Sequence, residues 1–217
     1  MFEYKGVKLT WLGHDGFRIQ DGKVIYLDPF KIGGGPKADI VLVSHEHFDH
    51  CNVDDLKKVV TSETIVVAHS QSKGELGKLK IKEVKIVKPG DKIDVGGVTV
   101  EAVPAYNLNK FREPGKVFHP KEDGKVGFVL TVNGVRIYHA GDTDHIPEMK
   151  NVRTDIALLP VSGTYVMTAK EASEAVADIN PKVAIPMHYG AIVGNTSDAE
   201  TFKGLVKCEV KVLNKEP

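Results

Sequence analysis

The sequence predicts an α/β protein in which two β-sheets stack face to face and helices cover both outer surfaces, a four-layer αββα sandwich. Two observations lead to this fold class. Short runs rich in β-branched residues outnumber helical patterns, and each half of the chain places its strands first and its helices later. The 217 residues suit one domain, 1–217, built from two β-rich halves (about 1–105 and 125–217) that a long loop, 106–125, connects.

The first half contains seven segments whose length and composition are typical of strands. They span residues 7–12, 17–20, 24–27, 40–43, 65–68, 84–87 and 98–103. After the fourth of them, apolar residues recur at helical spacing over 53–60, and Asn52 is placed to cap that helix. We also expect a short helix over 72–79.

Residues 106–125 break this pattern, because Asn, Pro, Gly and charged residues recur there without a period of 2 or 3.6. A connection of this length without secondary structure is usually functional or disordered. Strands resume over 126–132, 135–139, 156–160, 183–187 and 210–213. Two helices are interleaved with them, and each begins with a capping-box pattern, Thr168 with Glu171 and Ser197 with Glu200.

Composition excludes several classes of protein. The 29 basic and 29 acidic residues give zero net charge, which disfavours nucleic acid as a partner. No apolar run is long enough to span a bilayer and the first residues do not resemble a signal peptide, so we expect a cytoplasmic protein without a membrane partner. Cys51 and Cys208 form no CxxC pair, which argues against a disulfide scaffold. The sequence does not decide whether the protein forms a homo-oligomer.

Metal-competent side chains cluster directly after the strand predicted at 40–43, in the segment Ser-His-Glu-His-Phe-Asp-His. Side chains two residues apart on extended backbone point the same way, so His45 and His47 can bind one ion. As the chain turns, Asp49 and His50 can face a second ion. Four such side chains at the end of one strand predict a metal site.

Two later segments follow the same rule. Asp142 in HAGDTD comes after the strand at 135–139, and His188 in IPMHYG comes after the strand at 183–187. Each is weak evidence by itself, because an aspartate at the end of a strand is most often a turn residue. Together with the first cluster, they complete a set of nitrogen and oxygen ligands that contains no thiolate.

At these residues the sequence resembles the metallo-β-lactamase-fold hydrolase superfamily. The residues that match its HxHxDH signature are His45, His47, Asp49 and His50. The resemblance implies the αββα sandwich, with Asp142 bridging two metal ions, His188 as the final histidine ligand and Asp28 of YLDPF supporting the ligand loop. The segments WLGHDGF, ALLPVSGTYVMT and VAIPMHYG further resemble the L-ascorbate-6-phosphate lactonase-like branch.

The sequence departs from the superfamily at one ligand. Members usually supply another histidine between the signature and the bridging aspartate, where this chain has Asn107 in PAYN. Either Asn107 contributes a weaker oxygen, or His119 of the long loop reaches the metal, or water completes that site. His14, in a turn flanked by glycine, is a further candidate to contact metal or substrate.

These residues predict a metal-dependent hydrolase with two divalent ions, zinc or manganese, with iron or nickel as alternatives. A metal-bound hydroxide would attack the substrate, and Asp49 would orient it as well as bind metal. The expected substrate is a small anionic ester or lactone, similar to a sugar-phosphate lactone. The long loop carries the cations that would hold it, namely Lys110, Arg112, Lys116, Lys121 and Lys125. The alternatives are a phosphodiesterase acting on nucleic acid or phospholipid, and a metal-binding protein without catalysis.

Overall fold

Two seven-stranded sheets form the centre of the structure, a computed structural model that describes residues 1–216. The strands of the first sheet are β1 (Phe2–Tyr4), β2 (Val7–Gly13), β3 (Gly16–Gln20), β4 (Val24–Leu27), β5 (Ile40–Val43), β6 (Ile65–His69) and β7 (Glu83–Val87). The later strands are β8 (Lys92–Val95), β9 (Val98–Pro104), β10 (Phe111–Glu113), β11 (Lys116–Val117), β12 (Val126–Val132), β13 (Val135–His139), β14 (Ile156–Pro160), β15 (Val183–Met187) and β16 (Glu209–Val210). Of these later strands, β10 and β11 form a separate hairpin and the rest form the second sheet.

Both sheets combine antiparallel hairpins with a parallel part. The first sheet runs in chain order, antiparallel from β1 to β4 and parallel from β4 to β7. The second has the order β16-β15-β14-β13-β12-β9-β8 and becomes parallel from β13 to β16. The chain passes from one sheet to the other over residues 88–91. Parallel strands end at the same edge of their sheet, so the loops that follow them meet there.

Strand β5 illustrates how the layers pack. Its four residues are buried on both faces, as expected of a parallel strand covered on both sides. Ile40 and Leu42 belong to the core between the two sheets, whereas Val41 and Val43 pack with Leu56 beneath the first helix. The alternation of side chains along a strand thus serves two cores at once.

The helices lie on the outer surfaces of the two sheets. They are α1 (Val53–Val59), α2 (Lys73–Leu76), α3 (Ala169–Ile179) and α4 (Thr196–Leu205), with 3-10 turns at Ser70–Ser72, Lys121–Asp123 and Pro147–Asn151. Helix α1 packs against the first sheet, and α3 and α4 against the second. The predicted αββα sandwich is therefore confirmed. Of the helices in residues 1–216, none combines the length and apolar character that crossing a membrane requires.

Several elements differ from the sequence prediction. Strands β1 and β8 were not predicted, because both are short and lie at sheet edges, where charged residues such as Lys92 and Asp94 alternate with apolar ones. The segment 106–125 contains the hairpin β10–β11 and a 3-10 turn instead of a structureless loop. The strand expected at 210–213 is confined to Glu209–Val210.

Helix caps follow the sequence at two of three sites. Asn52 caps α1, and Thr168 forms the expected capping box with Glu171 at the start of α3. The box predicted from Ser197 and Glu200 is wrong. The cap of α4 is Asn195, whose partner in the box is Asp198, so the helix begins two residues earlier than that pattern indicates.

Candidate metal centre

Loops from both sheets bring eight polar residues to one edge of the sandwich. The loop after β5 carries the HxHxDH segment, the loop after β13 carries Asp142, and His188 directly follows β15. The turn between β2 and β3 adds His14 and Asp15. The edge is thus assembled at the ends of strands that lie far apart in sequence.

Three histidines and one carboxylate oxygen form a first group. Nε2 of His45 lies 3.0 Å from Nδ1 of His47, and Nε2 of His119 lies 3.3 Å from that same Nδ1. Oδ2 of Asp142 is 3.5 Å from Nε2 of His119 and 3.9 Å from Nε2 of His45. Atoms that bind one ion at bond lengths near 2.1 Å are separated by roughly 3–3.5 Å, so this spacing suits a shared ion.

The other oxygen of Asp142 faces a second group. Oδ1 of Asp142 lies 3.3 Å from Nε2 of His50 and 3.4 Å from Nε2 of His188. Oδ2 of Asp49 is 3.8 Å from Nε2 of His50 and lies at hydrogen-bond distance, 3.0 Å, from Nε2 of His14. The two oxygens of one carboxylate therefore face two separate clusters of ring nitrogens, the arrangement that a bridging ligand requires.

Asn107 does not point into either group. Its Oδ1 accepts hydrogen bonds from the backbone N–H and from Nδ1 of His119, both at 2.9 Å. Its Nδ2 donates to Oδ1 of Asp144 at 3.2 Å and to the carbonyl of Tyr165 at 2.9 Å. Of the alternatives left open by the sequence, the structure places His119 with the first group and Asn107 behind it as a support.

Most of the ring nitrogens that face away from the centre are held by a polar group. Nδ1 of His45 lies 2.9 Å from Oγ of Ser44, and Nδ1 of His188 lies 3.0 Å from Oγ of Ser162. Nδ1 of His50 lies 2.8 Å from Oδ2 of Asp28, the residue expected to support the ligand loop. Such partners fix the orientation of imidazole ligands and leave Nε2 free for a metal ion.

Orphaned polar atoms test whether the residues fit a metal ion. Oδ1 and Oδ2 of Asp15, Nε2 of His50, Oδ1 of Asp142 and Nε2 of His188 are buried and make no hydrogen bond within residues 1–216. Buried polar groups are nearly always partnered, and five unpartnered atoms at one place call for an explanation. A bound cation satisfies all of them, so the donor set fits divalent metal ions.

Burial and mutual charge divide the groups of the centre. Burial lowers the pKa of His45 well below its usual value and that of His119 to about 4, so both rings are neutral near pH 7. Burial also disfavours charge on Asp142, His50 and His188, but their attraction overrides it. The pKa of Asp142 falls well below its usual value, that of His50 rises well above it, and that of His188 rises to about 9.

Asp15 is the residue of the centre that sequence reasoning missed. It is fully buried, and its Oδ2 lies 3.5 Å from Nε2 of His50 and 3.9 Å from Nε2 of both His14 and His188. Burial raises its pKa. The only signal in the sequence was a charged residue next to His14, in a turn between two apolar strands. In the structure, the backbone of His14 has a positive φ of 52°. A non-glycine residue in that conformation is often found at functional sites.

The remaining histidines and both cysteines lie outside the two groups. Nε2 of His139 contacts the carbonyl of Asp15 at 2.8 Å, and Nε2 of His145 contacts Oδ2 of Asp178 at 2.8 Å. Cys51 is buried, and burial raises the pKa of its thiol to about 12, which leaves it unreactive. These residues support the fold.

The cations of the segment 106–125 are largely paired within the chain. The pairs are Lys110 with Glu171 at 2.9 Å, Lys116 with Glu113 at 2.8 Å, Lys121 with Glu148 at 2.7 Å and Lys125 with Glu46 at 2.5 Å. Four of the five cations expected to hold an anionic substrate are therefore paired with acidic residues, several of which lie outside the loop.

A cavity of about 460 Å³ opens above the two groups. Its floor contains His47, Asp49, His119 and Asp142, and its walls are the side chains of Phe48, Phe118, Tyr165 and Ile192. Phe48 is 66% exposed and Ile192 41% exposed. Its size suits a small molecule, and the described residues that line it include no lysine or arginine.

Comparison with known proteins agrees with this geometry. Residues 8–188 match the model of the beta-lactamase superfamily domain. A UPF0173 metal-dependent hydrolase of Methanopyrus kandleri is 34% identical, over 97% of this chain and 97% of its own. The chain belongs to the metallo-β-lactamase superfamily, and it is a metal-dependent hydrolase.

Two solved structures extend the comparison. A proposed metal-dependent hydrolase from Parabacteroides distasonis superposes with a TM-score of 0.81 at 34% identity, over 96% of this chain and 94% of that one. A proposed zinc-dependent hydrolase of the same superfamily from Thermotoga maritima has a TM-score of 0.65 at 25% identity, over 95% and 98% of the two chains. The match therefore extends over nearly the whole of each molecule.

Proposed function

We propose that this chain hydrolyses a small ester or lactone at a centre of two divalent metal ions. The observation that carries the proposal is the position of Asp142, whose two oxygens face separate clusters of imidazoles. His45, His47 and His119 would hold the first ion, and Asp49, His50 and His188 the second. Zinc or manganese suits these donors, with iron or nickel as alternatives.

When bound, two divalent ions lower the pKa of a coordinated water and polarise the oxygen of the bond to be cleaved. The protein supplies the positioning. Asp49 lines the floor of the cavity, and the His14 ring holds its Oδ2 at 3.0 Å, so its carboxylate can accept a hydrogen bond from the attacking water. No protein nucleophile is needed, which agrees with the buried, unreactive thiol of Cys51.

The metal content of the purified protein, followed by activity screens on lactones, thioesters and phosphodiesters with that metal restored, tests the reaction class. We expect Asp49→Ala and His47→Ala to abolish turnover while the far-UV circular dichroism spectrum is retained. His145→Ala is the matched control, because His145 lies outside both groups and should leave turnover unchanged. Full metal content without activity on any of the three classes would support a non-catalytic metal-binding protein instead.

The cavity walls narrow the substrate class. Phe118, Tyr165 and Ile192 present apolar surface beside the ligand groups, so we propose that the substrate carries an aliphatic or aromatic group next to the scissile bond. The anionic substrate expected from the sequence stays a prediction. With Lys110, Lys116, Lys121 and Lys125 already paired, its charge would have to bind at the ions themselves.

Two series of lactones distinguish these substrates. We expect kcat/KM to rise as an alkyl tail is lengthened, and to exceed the value for a phosphorylated sugar lactone. Phe118→Ala should reduce the preference for the longer tail by about tenfold. Leu205→Ala, an exposed leucine on α4 away from the cavity, serves as the control. A preference for the phosphorylated lactone that survives Phe118→Ala would favour the anionic substrate.

Phosphodiester hydrolysis is the weaker alternative. Nucleic-acid binding relies on lysine and arginine contacts to phosphates, and the described residues that line the cavity include neither. Cleavage of single-stranded RNA by the wild type, lost in Asp49→Ala, would reverse this ranking.

A further inference from the structure

Asp15 lies in the turn between β2 and β3, where the fold holds its backbone in place. Its carbonyl oxygen accepts a hydrogen bond of 2.8 Å from Nε2 of His139. The N–H of Gly141 donates to Nδ1 of the same ring at 3.3 Å, which assigns the proton to Nε2. The carboxylate of Asp15 therefore projects from a fixed position into the second group of the metal centre.

Both carboxylate oxygens of Asp15 are buried without a hydrogen-bond partner among residues 1–216. An isolated buried carboxylate is strongly unfavourable, so a fold that places one here needs something to balance it. The nearest groups are ring nitrogens. Oδ2 of Asp15 lies 3.5 Å from Nε2 of His50 and 3.9 Å from Nε2 of His188.

The ring nitrogens cannot all act as neutral donors to this carboxylate. A histidine binds a metal ion as the neutral ring, and Nδ1 of His50 lies 2.8 Å from Oδ2 of Asp28, an acceptor, so in that state Nδ1 keeps the proton and Nε2 presents a lone pair. Oδ1 of Asp142 is a further acceptor without a partner. Donor atoms of Asp15, His50, Asp142 and His188 all lie within 4.8 Å of one another. A cation is the group that satisfies converging acceptors of this kind.

We propose that Asp15 is an additional ligand of the second metal position, which it shares with His50, Asp142 and His188. This inference rests on the two-metal centre of the proposed function. With Asp49 included, the second position would have three carboxylates and two imidazoles, whereas the first would have three imidazoles and the shared carboxylate. Oxygen-rich sites of higher coordination number suit manganese or iron, and imidazole-rich ones suit zinc.

Metal titration of chelator-stripped protein tests the role of Asp15. We expect wild type to bind two Mn²⁺ ions in calorimetric titrations, and Asp15→Asn to bind one with unchanged affinity and the other about 10- to 100-fold more weakly. The loss should be larger for Mn²⁺ than for Zn²⁺. Asp54→Asn replaces a carboxylate that is 88% exposed on α1 and should change neither affinity.

Thermal unfolding separates a ligand from a structural residue. A ligand stabilises the fold through the bound ion, so Asp15→Asn should reduce the rise in melting temperature on adding Mn²⁺ far more than it changes the melting temperature of the stripped protein. A structural role would instead lower the melting temperature in both states. If the variant fails to fold, a Mn²⁺-loaded crystal structure of the wild type decides, since a ligand oxygen must lie within about 2.6 Å of the ion.

The possible failures are distinguishable. Wild type that binds no divalent ion would overturn the two-metal centre and Asp15 with it. Two ions bound equally tightly by wild type and Asp15→Asn, or an Asp15 carboxylate more than 3 Å from the ion in the loaded crystal, would overturn the role of Asp15 alone.

Discussion

The side-chain oxygen of Asn107 binds both the backbone N–H and the ring Nδ1 of His119, at 2.9 Å each. Two residues separated by a hairpin are thereby held as one unit, and Nε2 of His119 is directed toward His47 and Asp142. The residue that replaces the usual histidine in the sequence is thus the support of a histidine supplied from elsewhere.

Loss of this support should weaken metal binding at the first position. We expect Asn107→Ala to reduce the affinity for the first Zn²⁺ by about 10- to 100-fold, because the His119 ring loses the acceptor that fixes its orientation. Calorimetric titration of stripped protein measures the change. Asn151→Ala, an exposed asparagine away from the centre, is the control. Unchanged Zn²⁺ affinity in Asn107→Ala would show that metal binding does not depend on the support that Asn107 gives to His119.

Asp28 should be important for both stability and the second metal position. Its carboxylate accepts hydrogen bonds from the backbone N–H of Ser44 at 2.8 Å, from Oγ of Ser44 at 2.5 Å and from His50. In Asp28→Asn an NH₂ group replaces one of the two acceptor oxygens, so at least one of these donors loses its partner. We expect the free energy of unfolding, measured with urea, to fall by about 2 kcal/mol. Asp39→Asn, where an exposed carboxylate accepts from the Val24 N–H, should cost less than 1 kcal/mol.

The parts of the centre that were predicted share one property. His45, His47, Asp49 and His50 lie in one segment directly after a β-branched strand, so spacing and strand direction place them without knowledge of the rest of the fold. The αββα sandwich follows for a similar reason, since strands such as β5 are recognisable from local composition.

The parts that were left open or missed depend on contacts between distant segments. Local sequence does not indicate whether His119 folds back onto Asn107, because the path of residues 108–118 decides it. Asp15 is an ordinary turn residue in sequence, and only the approach of β13 and β15 buries it beside His50 and His188. The pairing of Lys125 with Glu46, 79 residues away, could not be predicted from the sequence for the same reason.

The cap of α4 offers a stability test in which sequence and structure make different predictions. Oδ1 of Asn195 accepts a hydrogen bond from the N–H of Ser197 at 2.9 Å, and Oδ2 of Asp198 accepts one from the N–H of Asn195 at 2.8 Å. Asn195→Ala should therefore lower the free energy of unfolding by about 1 kcal/mol. Glu200→Ala should change it by less than about 0.5 kcal/mol, because Glu200 is exposed and lies outside the cap. Urea denaturation of both variants compares them, and a larger effect of Glu200→Ala would contradict this assignment.

The ion pair of Lys125 and Glu46 joins the ligand loop to the start of β12. The side chain of Lys125 is 3% exposed, so removing its partner leaves a buried ammonium group without a carboxylate. Glu46 is 29% exposed, which lets water reach the pair and reduces the cost below that of a fully buried one. We expect Glu46→Gln to destabilise the protein by about 2 kcal/mol.

The double variant Glu46→Gln with Lys125→Met should recover part of that loss, because the unpaired charge is gone. Lys121→Met breaks an exposed pair with Glu148 and provides the control, with a much smaller change in stability. Chemical unfolding of the single and double variants completes the cycle. Equal stability of wild type and Glu46→Gln would show that the pair does not stabilise the ligand loop.

The cap of α3 predicts a dependence of stability on pH. Partial burial alone would raise the pKa of Glu171, but the N–H of Thr168 at 2.7 Å and the ammonium of Lys110 at 2.9 Å lower it to about 2. Because the folded pKa lies below the unfolded one, the charged form stabilises the fold above about pH 4.5, and this contribution disappears as the pH falls toward 2. Glu171→Gln should thus be less stable than wild type by about 1 kcal/mol at pH 7, with the difference shrinking progressively below pH 5. Urea unfolding of chelator-stripped protein across this range measures it, with Glu174→Gln on the same helix as the control. If the difference in free energy of unfolding between wild type and Glu171→Gln stayed constant down to pH 2, the cap would not be what lowers the pKa of Glu171.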